Sequence, residues 1–218
     1  MCNAYRLTTS QEAMRRLFDI LPRADRLGNF TPGDGVWSDQ DAPVVRRTRD
    51  GDGGRGLALL RWGFPPPPAG HQPVTNVRNL DSGYWRAWLN DPAQRCLVPF
   101  TSFAEPHPTR RDARGWVDNE WFGARDTEVS AFAGIWRPWS GQRLKAVDGQ
   151  ARRQRVAGDW SLFAILTTAP NALVAPIHAK AMPVILPPTA WDIWLNAPWC
   201  EAQQVVQPFP AEAMEIVG

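Results

Sequence analysis

The 218-residue sequence contains few of the residues that make metal sites or disulfide frameworks. It has three cysteines and three histidines, and their spacing matches neither a zinc site nor a set of paired disulfides. No apolar run approaches the length of about 20 residues that a membrane-spanning helix needs. Arg15 and Arg16 also interrupt the N-terminal segment before a signal peptide could form. We therefore expect a cytoplasmic protein with no metal and no cofactor.

Lysine and tyrosine are also scarce. Of the 24 basic residues only two are lysine, and 12 tryptophans accompany two tyrosines. Arginine binds phosphates through paired N–H groups, and tryptophan offers a flat face for stacking on bases, so this composition suits a nucleic-acid ligand. A GC-rich genome, whose codons favour both residues, explains it equally well. The net charge of +2 excludes an extensive polyelectrolyte surface.

The distribution of apolar residues predicts a fold with many short strands and few helices. Thr9 and Glu12 resemble a capping box for a first helix that extends to Leu21, and a last helix is predicted to start at Thr189, with Asp192 closing its own box. Strands are predicted at 44–47, 56–63, 96–100, 131–136, 162–167 and 183–186. We expect an α+β fold, a single domain over residues 1–218 around a curved, barrel-like β-sheet.

Cys2 directly follows the initiator methionine, and a small second residue allows Met1 to be removed. The exposed cysteine would then carry a free amine and a thiol on adjacent carbons. This 1,2-aminothiol can condense with an aldehyde and close a five-membered thiazolidine ring. It can instead attack a peptide carbonyl, as N-terminal nucleophile hydrolases do. An incidental small residue is the third interpretation of position 2.

Three further positions are candidates for chemistry, each with a plain structural alternative. Glu105 is a lone carboxylate in an otherwise apolar stretch, where burial would raise its pKa, although a surface loop would leave it ordinary. His178 lies between apolar segments, either as a proton-transfer group or as a core histidine bonded to backbone. Asn76 could hold a substrate oxygen and Arg78 a phosphate, or both could belong to a turn.

Eight short motifs, taken in order, resemble the SRAP (SOS response-associated peptidase) family. They extend from residue 1 to about residue 195. They are Met1-Cys2, Asn29-Phe30-Thr31-Pro32, Leu60-Arg61-Trp62-Gly63, Asn76-Val77-Arg78, Arg95 to Pro99 ending in Glu105, Phe132 to Trp136, Thr167 to Asn171, and Ile177-His178 through Leu186.

The resemblance implies an enzyme that acts on damaged DNA. SRAP proteins bind abasic sites in single-stranded DNA and crosslink their N-terminal cysteine to the ring-opened sugar. The implied catalytic residues are Cys2 as the nucleophile, Asn76 as an orienting group, Glu105 as the proton shuttle and His178 as the group that assists ring opening. Arg78, Trp62 and Pro32 are the implied DNA-binding residues. The protein is expected to act as a monomer and to associate with the nucleoid when bound to DNA.

The chain departs from the usual family pattern at its N-terminus. Asn3-Ala4 stands where the family commonly has Gly-Arg, which makes Arg6 a candidate for the missing arginine contact. Two alternative functions remain open at this point. One is a cysteine peptidase of the N-terminal nucleophile type, acting only on itself or on other peptides. The other is a single-stranded DNA-binding module without catalysis, which uses arginine and tryptophan alone.

Overall fold

Fourteen strands and four short α-helices make up the described part of the computed structural model, which comprises residues 3–48, 54–66, 72–145 and 152–217. The strands are β1 (Ala4–Leu7), β2 (Ile20–Arg26), β3 (Gly33–Trp37), β4 (Asp41–Arg47), β5 (Arg55–Trp62), β6 (Asn76–Val77), β7 (Arg95–Phe100), β8 (Ser102–Arg111), β9 (Val117–Ala124), β10 (Ser130–Lys145), β11 (Gln154–Thr168), β12 (Met182–Pro183), β13 (Ile185–Leu186) and β14 (Met214–Val217). The helices are α1 (Gln11–Leu17), α2 (Arg86–Asn90), α3 (Trp191–Asn196) and α4 (Trp199–Ala202).

Five strands close into a small barrel. β5, β4, β7, β10 and β11 pair in that order, and β11 then pairs with β5 in parallel through Phe163 and Trp62. β7 lies in the middle of this ring, and all six of its residues are buried, as expected of a strand covered on both faces. The expectation of a barrel-like sheet with a few short helices is confirmed.

A second sheet, in the order β14-β9-β8-β1-β3, adjoins the barrel. Only Thr101 separates β7 of the barrel from β8 of this sheet, and its amide donates to the carbonyl oxygen of Arg6 in β1. In the pairing of β1 with β8, Ala4 lies opposite Ala104. The first described strand of the chain is therefore fixed beside the residue that precedes Glu105.

Aromatic side chains form the core where the two sheets meet. Tyr5 of β1 contacts Trp62 and Phe132 edge-on, with ring centroids 5.2 and 5.9 Å apart. Phe132 in turn stacks on Phe100, and Phe103 of β8 packs against both rings. All five rings are buried. Because the second sheet buries its aromatic residues against barrel residues, the two sheets share one core.

The β10–β11 hairpin is long, and a buried ionic cluster attaches it to the barrel. Asp39 accepts hydrogen bonds from Arg61 of β5 at 3.0 Å and from Arg143 of β10 at 2.6 Å. Asp39 has φ +63°, a left-handed conformation that aspartate tolerates better than most residues. This turn aims its carboxylate at both guanidinium groups.

The terminal helices differ from the expected ones. α1 is capped by Ser10, whose side chain accepts from the amide of Ala13, while Thr9 donates instead to Glu128. The helix stops at Leu17, because Asp19 takes a positive φ and β2 follows at once. Asp192 pairs with Arg55 and caps no helix.

Within the described ranges, no helix is long and apolar enough to cross a membrane.

Candidate active site

The proposed nucleophile lies just outside the described residues. Met1 and Cys2 precede Asn3, the first residue that the structure describes, so the prediction for Cys2 stays a prediction. The described chain begins β1 at Ala4, next to Trp37 on one side and Ala104 on the other. The groups around the start of β1 are therefore those that any chemistry at position 2 would use.

Glu105 is a fully buried carboxylate close to a histidine. It follows Ala104 in β8, and its Oε2 lies 4.0 Å from Nδ1 of His178. Burial raises the pKa of Glu105, and the charge of a protonated His178 opposes that rise. A carboxyl group whose pKa is raised toward neutrality can hold a proton and release it in the same reaction, as a general acid–base group must.

His178 is held in place by the backbone of its own turn. Asn171 starts this segment by accepting hydrogen bonds from the amides of Leu173 and Val174 through its side-chain oxygen. The amide of His178 then donates to the carbonyl oxygen of Val174. Nδ1 of the imidazole lies 2.7 Å from the carbonyl oxygen of Ala181, which orients the ring toward Glu105. The structure shows the backbone-bonded arrangement, and the acid–base role of His178 stays a prediction.

Asn76 and Arg78 connect β6 to the same turn. Asn76 is buried, and its side-chain nitrogen donates to the hydroxyl oxygen of Thr75 at 2.9 Å. β6 lies against β11, which fixes the backbone at this position. Arg78 is exposed and donates to the carbonyl oxygen of Lys180 at 2.9 Å, two residues beyond His178. The structure thus brings Arg78, His178 and Glu105 into one region through direct contacts.

Trp62 does not belong to the site surface, which corrects the expectation that it lines a DNA groove. Its indole is fully buried between the two sheets and lies parallel to the ring of Phe163, with centroids 6.2 Å apart. Its N–H donates to the carbonyl oxygen of Thr75 at 3.1 Å. Trp62 has no face left for a base. Its role is to position the segment that carries Asn76.

Pro32 and Trp37 lie at opposite ends of β3. Pro32 precedes Gly33, which pairs with Leu7 at the far end of β1, whereas Trp37 pairs with Ala4 at the near end. Trp37 is 47% exposed. It is the aromatic residue beside the start of β1 that sequence reasoning missed. Nothing in its sequence context distinguishes it from the buried tryptophans.

The two cysteines in the described ranges have different environments. Cys96 is fully buried, and burial raises the pKa of its thiol, which keeps it protonated and unreactive. Cys200 is exposed. In the same ranges, no group of three or more histidine, cysteine, aspartate or glutamate residues is arranged to hold a metal ion.

Comparison with solved structures identifies the fold. A protein from Bordetella bronchiseptica superimposes with a TM-score of 0.70 at 22% identity over 100% of both chains. A protein from Bacteroides thetaiotaomicron gives 0.69 at 18% identity over 100% of this chain and 92% of its own. A phage-related protein from Bordetella bronchiseptica gives 0.68 at 19% identity, covering 99% and 93%.

One protein-family model matches the entire sequence. No curated protein matches the chain. The family model described as SOS response associated peptidase matches residues 1–218, and this protein therefore belongs to the SRAP family.

Proposed function

We propose that this protein captures abasic sites in single-stranded DNA by forming a thiazolidine crosslink through Cys2, after Met1 has been removed. The observation that carries the proposal is the buried Glu105, 4.0 Å from His178, beside the start of β1. A buried carboxyl group next to an imidazole supplies the proton transfers that aldehyde condensation requires.

The length of the chain supports this assignment. Ala4 pairs with Ala104, the residue before Glu105. Cys2 is two residues upstream of Ala4, and two extended residues span at most about 7 Å. A chain of this length is sufficient for the proposed approach of Cys2 to the Glu105–His178 pair.

The reaction needs one proton donor and one proton acceptor at each stage. His178 accepts the proton of the anomeric hydroxyl as the bond from C1′ to the ring oxygen breaks, and it returns that proton to the released ring oxygen, so the deoxyribose opens to its aldehyde. The amine of Cys2 adds to the aldehyde carbon and passes one N–H proton to the carbonyl oxygen. Protonated Glu105 gives its proton to the resulting hydroxyl, which leaves as water, and an iminium ion forms. The thiol returns a proton to the Glu105 carboxylate as its sulfur bonds to the iminium carbon, and the C=N electron pair moves to nitrogen. The product contains both reactants less one water molecule.

The remaining site residues bind and orient the strand. Asn76, whose amide nitrogen donates to Thr75, would orient the cysteine or a sugar oxygen. Arg78, which donates to the carbonyl oxygen of Lys180 at the surface, would contact a strand phosphate. Trp37 stacks on a base next to the lesion, while Pro32 contributes to the rim. An abasic site lacks the stacked base that other enzymes must extract, so a shallow groove suffices. One chain holds all of these groups, which supports a monomeric enzyme.

The decisive experiment combines intact mass with denaturing electrophoresis. Protein whose Met1 is absent by mass is incubated with an oligonucleotide that carries one abasic site. We expect an adduct that survives denaturation and has the mass of protein plus oligonucleotide less one water. Cys2→Ala abolishes it, and Cys200→Ala, which removes an exposed thiol elsewhere, leaves it unchanged. Glu105→Gln slows its formation by about 10²-fold or more.

Two outcomes would contradict the proposal. One is the absence of any adduct from wild-type protein whose Met1 has been removed. The other is an adduct retained by Cys2→Ala. If binding to single-stranded DNA is the same in wild type and Cys2→Ala and neither crosslinks, the protein is a binding module without catalysis.

The family's description favours a peptidase as the second candidate. The same Cys2 thiolate would attack a peptide carbonyl, and Glu105 would protonate the leaving amine. Cleavage of a peptide in the absence of DNA, lost in Cys2→Ala and retained in Cys200→Ala, would select this function. Cleavage restricted to the protein's own N-terminus would indicate self-processing only.

A further inference from the structure

A cavity of about 210 Å³ opens at the end of the barrel sheet away from Trp62, and arginine dominates its walls. Arg23 and Arg26 project from β2, and Arg46 and Arg47 from β4. The described residues that line it include no carboxylate. We call it the arginine cavity.

The arginine cavity is separate from the Glu105 site. Gly56 in its lining and Trp62 in the core lie six positions apart on the same face of β5, which is about 20 Å along a strand. Trp62 packs against Tyr5, one residue from the start of β1. A ligand in the cavity therefore does not touch the residues proposed for crosslinking.

Small residues on adjacent strands give the cavity its depth. Gly56 lies opposite Arg46 in the β4–β5 pairing, and Ala24 and Ala58 complete the lining between the arginines. A Cβ atom at Gly56 would lie 3.2 Å from the carbonyl oxygen of Ala24, so the floor admits no larger residue without displacement. A cavity of this volume suits a small ion.

The charges around the cavity are held in fixed positions. The guanidinium of Arg46 lies 4.1 Å from the ring centroid of Trp136, and this stacking restricts its movement. Arg95 is fully buried nearby. Burial lowers the pKa of Arg95 to about 10. The negative charge of Asp91 opposes this shift, and the positive charge of Arg47 adds to it. The buried Arg95 is therefore influenced by the positive charge of Arg47, one of the residues that line the cavity.

We propose that the arginine cavity binds a small phosphate-bearing anion, of the size of inorganic pyrophosphate, independently of DNA capture. Guanidinium groups bind phosphate oxygens through paired N–H donors, and Arg26 and Arg47 approach the cavity from different strands.

Isothermal titration calorimetry with sodium pyrophosphate tests the assignment. We expect one binding site in the wild type. Arg26→Gln and Arg47→Gln should each raise Kd by about tenfold or more, because each removes a charge-assisted hydrogen-bond donor. Arg114→Gln removes the same charge from the exposed β8–β9 connection and should leave Kd unchanged. Thermal melts of the three variants establish that all are folded.

The outcomes separate the small-anion site from general charge effects and from DNA. No heat of binding in the wild type at millimolar pyrophosphate would overturn the assignment, as would equal weakening in Arg114→Gln. A competing single-stranded oligonucleotide without terminal phosphates provides the last arm. Displacement of pyrophosphate by this strand would mean that the cavity holds a backbone phosphate, which also overturns it. Retention of pyrophosphate, in wild type and in Cys2→Ala alike, supports a site that is independent of crosslinking.

Discussion

Glu105 holds its carboxyl group in a place where water cannot reach it. Its pKa is raised by burial, so the folded protein holds this proton more firmly than the unfolded chain does. Stability is therefore lost as the pH rises from the carboxyl pKa of the unfolded chain, about 4.3, through the raised pKa of the folded state. The residue proposed to move protons is therefore also one whose charged form the folded protein disfavours.

This linkage gives a prediction for Glu105→Gln. The amide stays uncharged at every pH, so we expect the variant and the wild type to have similar Tm near about pH 4 and the variant to have the higher Tm near about pH 8. Thermal denaturation across this range measures the difference. The exposed Glu201→Gln serves as control, with a small change that does not grow with pH. A Tm difference that is flat from acid to alkaline pH would show that Glu105 does not titrate as described.

Trp37 and Trp116 provide a matched pair of exposed tryptophans. Trp37 lies opposite Ala4 at the start of β1, whereas Trp116, 73% exposed, lies just before β9. Because stacking on one base contributes about 1–3 kcal/mol, we expect Trp37→Ala to weaken binding of single-stranded DNA by roughly 5- to 100-fold and Trp116→Ala to leave it unchanged. Fluorescence anisotropy with an undamaged oligonucleotide measures both. Equal losses in the two variants would remove Trp37 from the proposed groove.

At the level of elements, Asp39 fixes the position of the β10–β11 hairpin. It bonds Arg61 and Arg143, both almost fully buried, while Asp41 reaches Arg61 from a more exposed position. Asp39→Asn keeps a residue that tolerates the positive φ of this turn but removes the charge between two buried guanidiniums. We expect it to lower the free energy of unfolding by about 3 kcal/mol, against about 0–1 kcal/mol for Asp41→Asn.

Urea denaturation of both variants tests this difference. A buried ion is costly to leave without its partner, whereas an exposed pair is partly replaced by water. If Asp41→Asn were as damaging as Asp39→Asn, the stability of the hairpin would depend on the whole acidic turn and not on the central carboxylate.

The elements that the sequence predicts are those with continuous apolar residues. β4, β5 and β7 were expected because their runs of valine, leucine and phenylalanine are buried in the barrel. β3 contains Gly33-Asp34-Gly35, a strong turn signal that favours a loop, and only pairing with β1 extends it. β8 and β9 continue past their buried ends with polar and proline residues that carry no strand period. Tertiary pairing decides such segments, and local propensity does not.

The candidate site was predictable in its residue types but not in its arrangement. The motifs that resemble the family located Glu105, His178, Asn76 and Arg78, and the first two lie within 4.0 Å of each other. Trp62 belongs to an equally recognisable motif yet is a core residue. A sequence motif marks a residue that matters without stating whether it faces the ligand or supports the residues that do.

At the level of the whole molecule, one aromatic core serves both sheets and thereby positions the site. β1 supplies the start of the chain and Tyr5, β8 supplies Glu105 and Phe103, and the barrel supplies the surface on which both strands pack. β11, which closes the barrel against β5, also carries β6 with Asn76. Groups from distant parts of the sequence thus meet where the two sheets join, and a change in that core would disturb the site without touching it.

The proposed binding of single-stranded DNA involves few phosphate contacts, which is consistent with the small net charge of +2. A protein that contacts two or three phosphates of a single strand releases few counterions, so log Kd against log salt should have a slope of magnitude about 2 or less, since each contact contributes about 0.7. Arg78→Gln should reduce that slope by about 0.7, whereas Arg114→Gln on the exposed β8–β9 connection should not.

The crosslinked fraction after long incubation should fall far less with salt than the reversible binding does, because a covalent bond retains each strand once captured. Anisotropy and denaturing gels from about 50 to 300 mM salt measure both quantities. A slope steeper than about 4 would mean that a broad basic surface holds the strand, and that permanence comes from many phosphate contacts and not from Cys2.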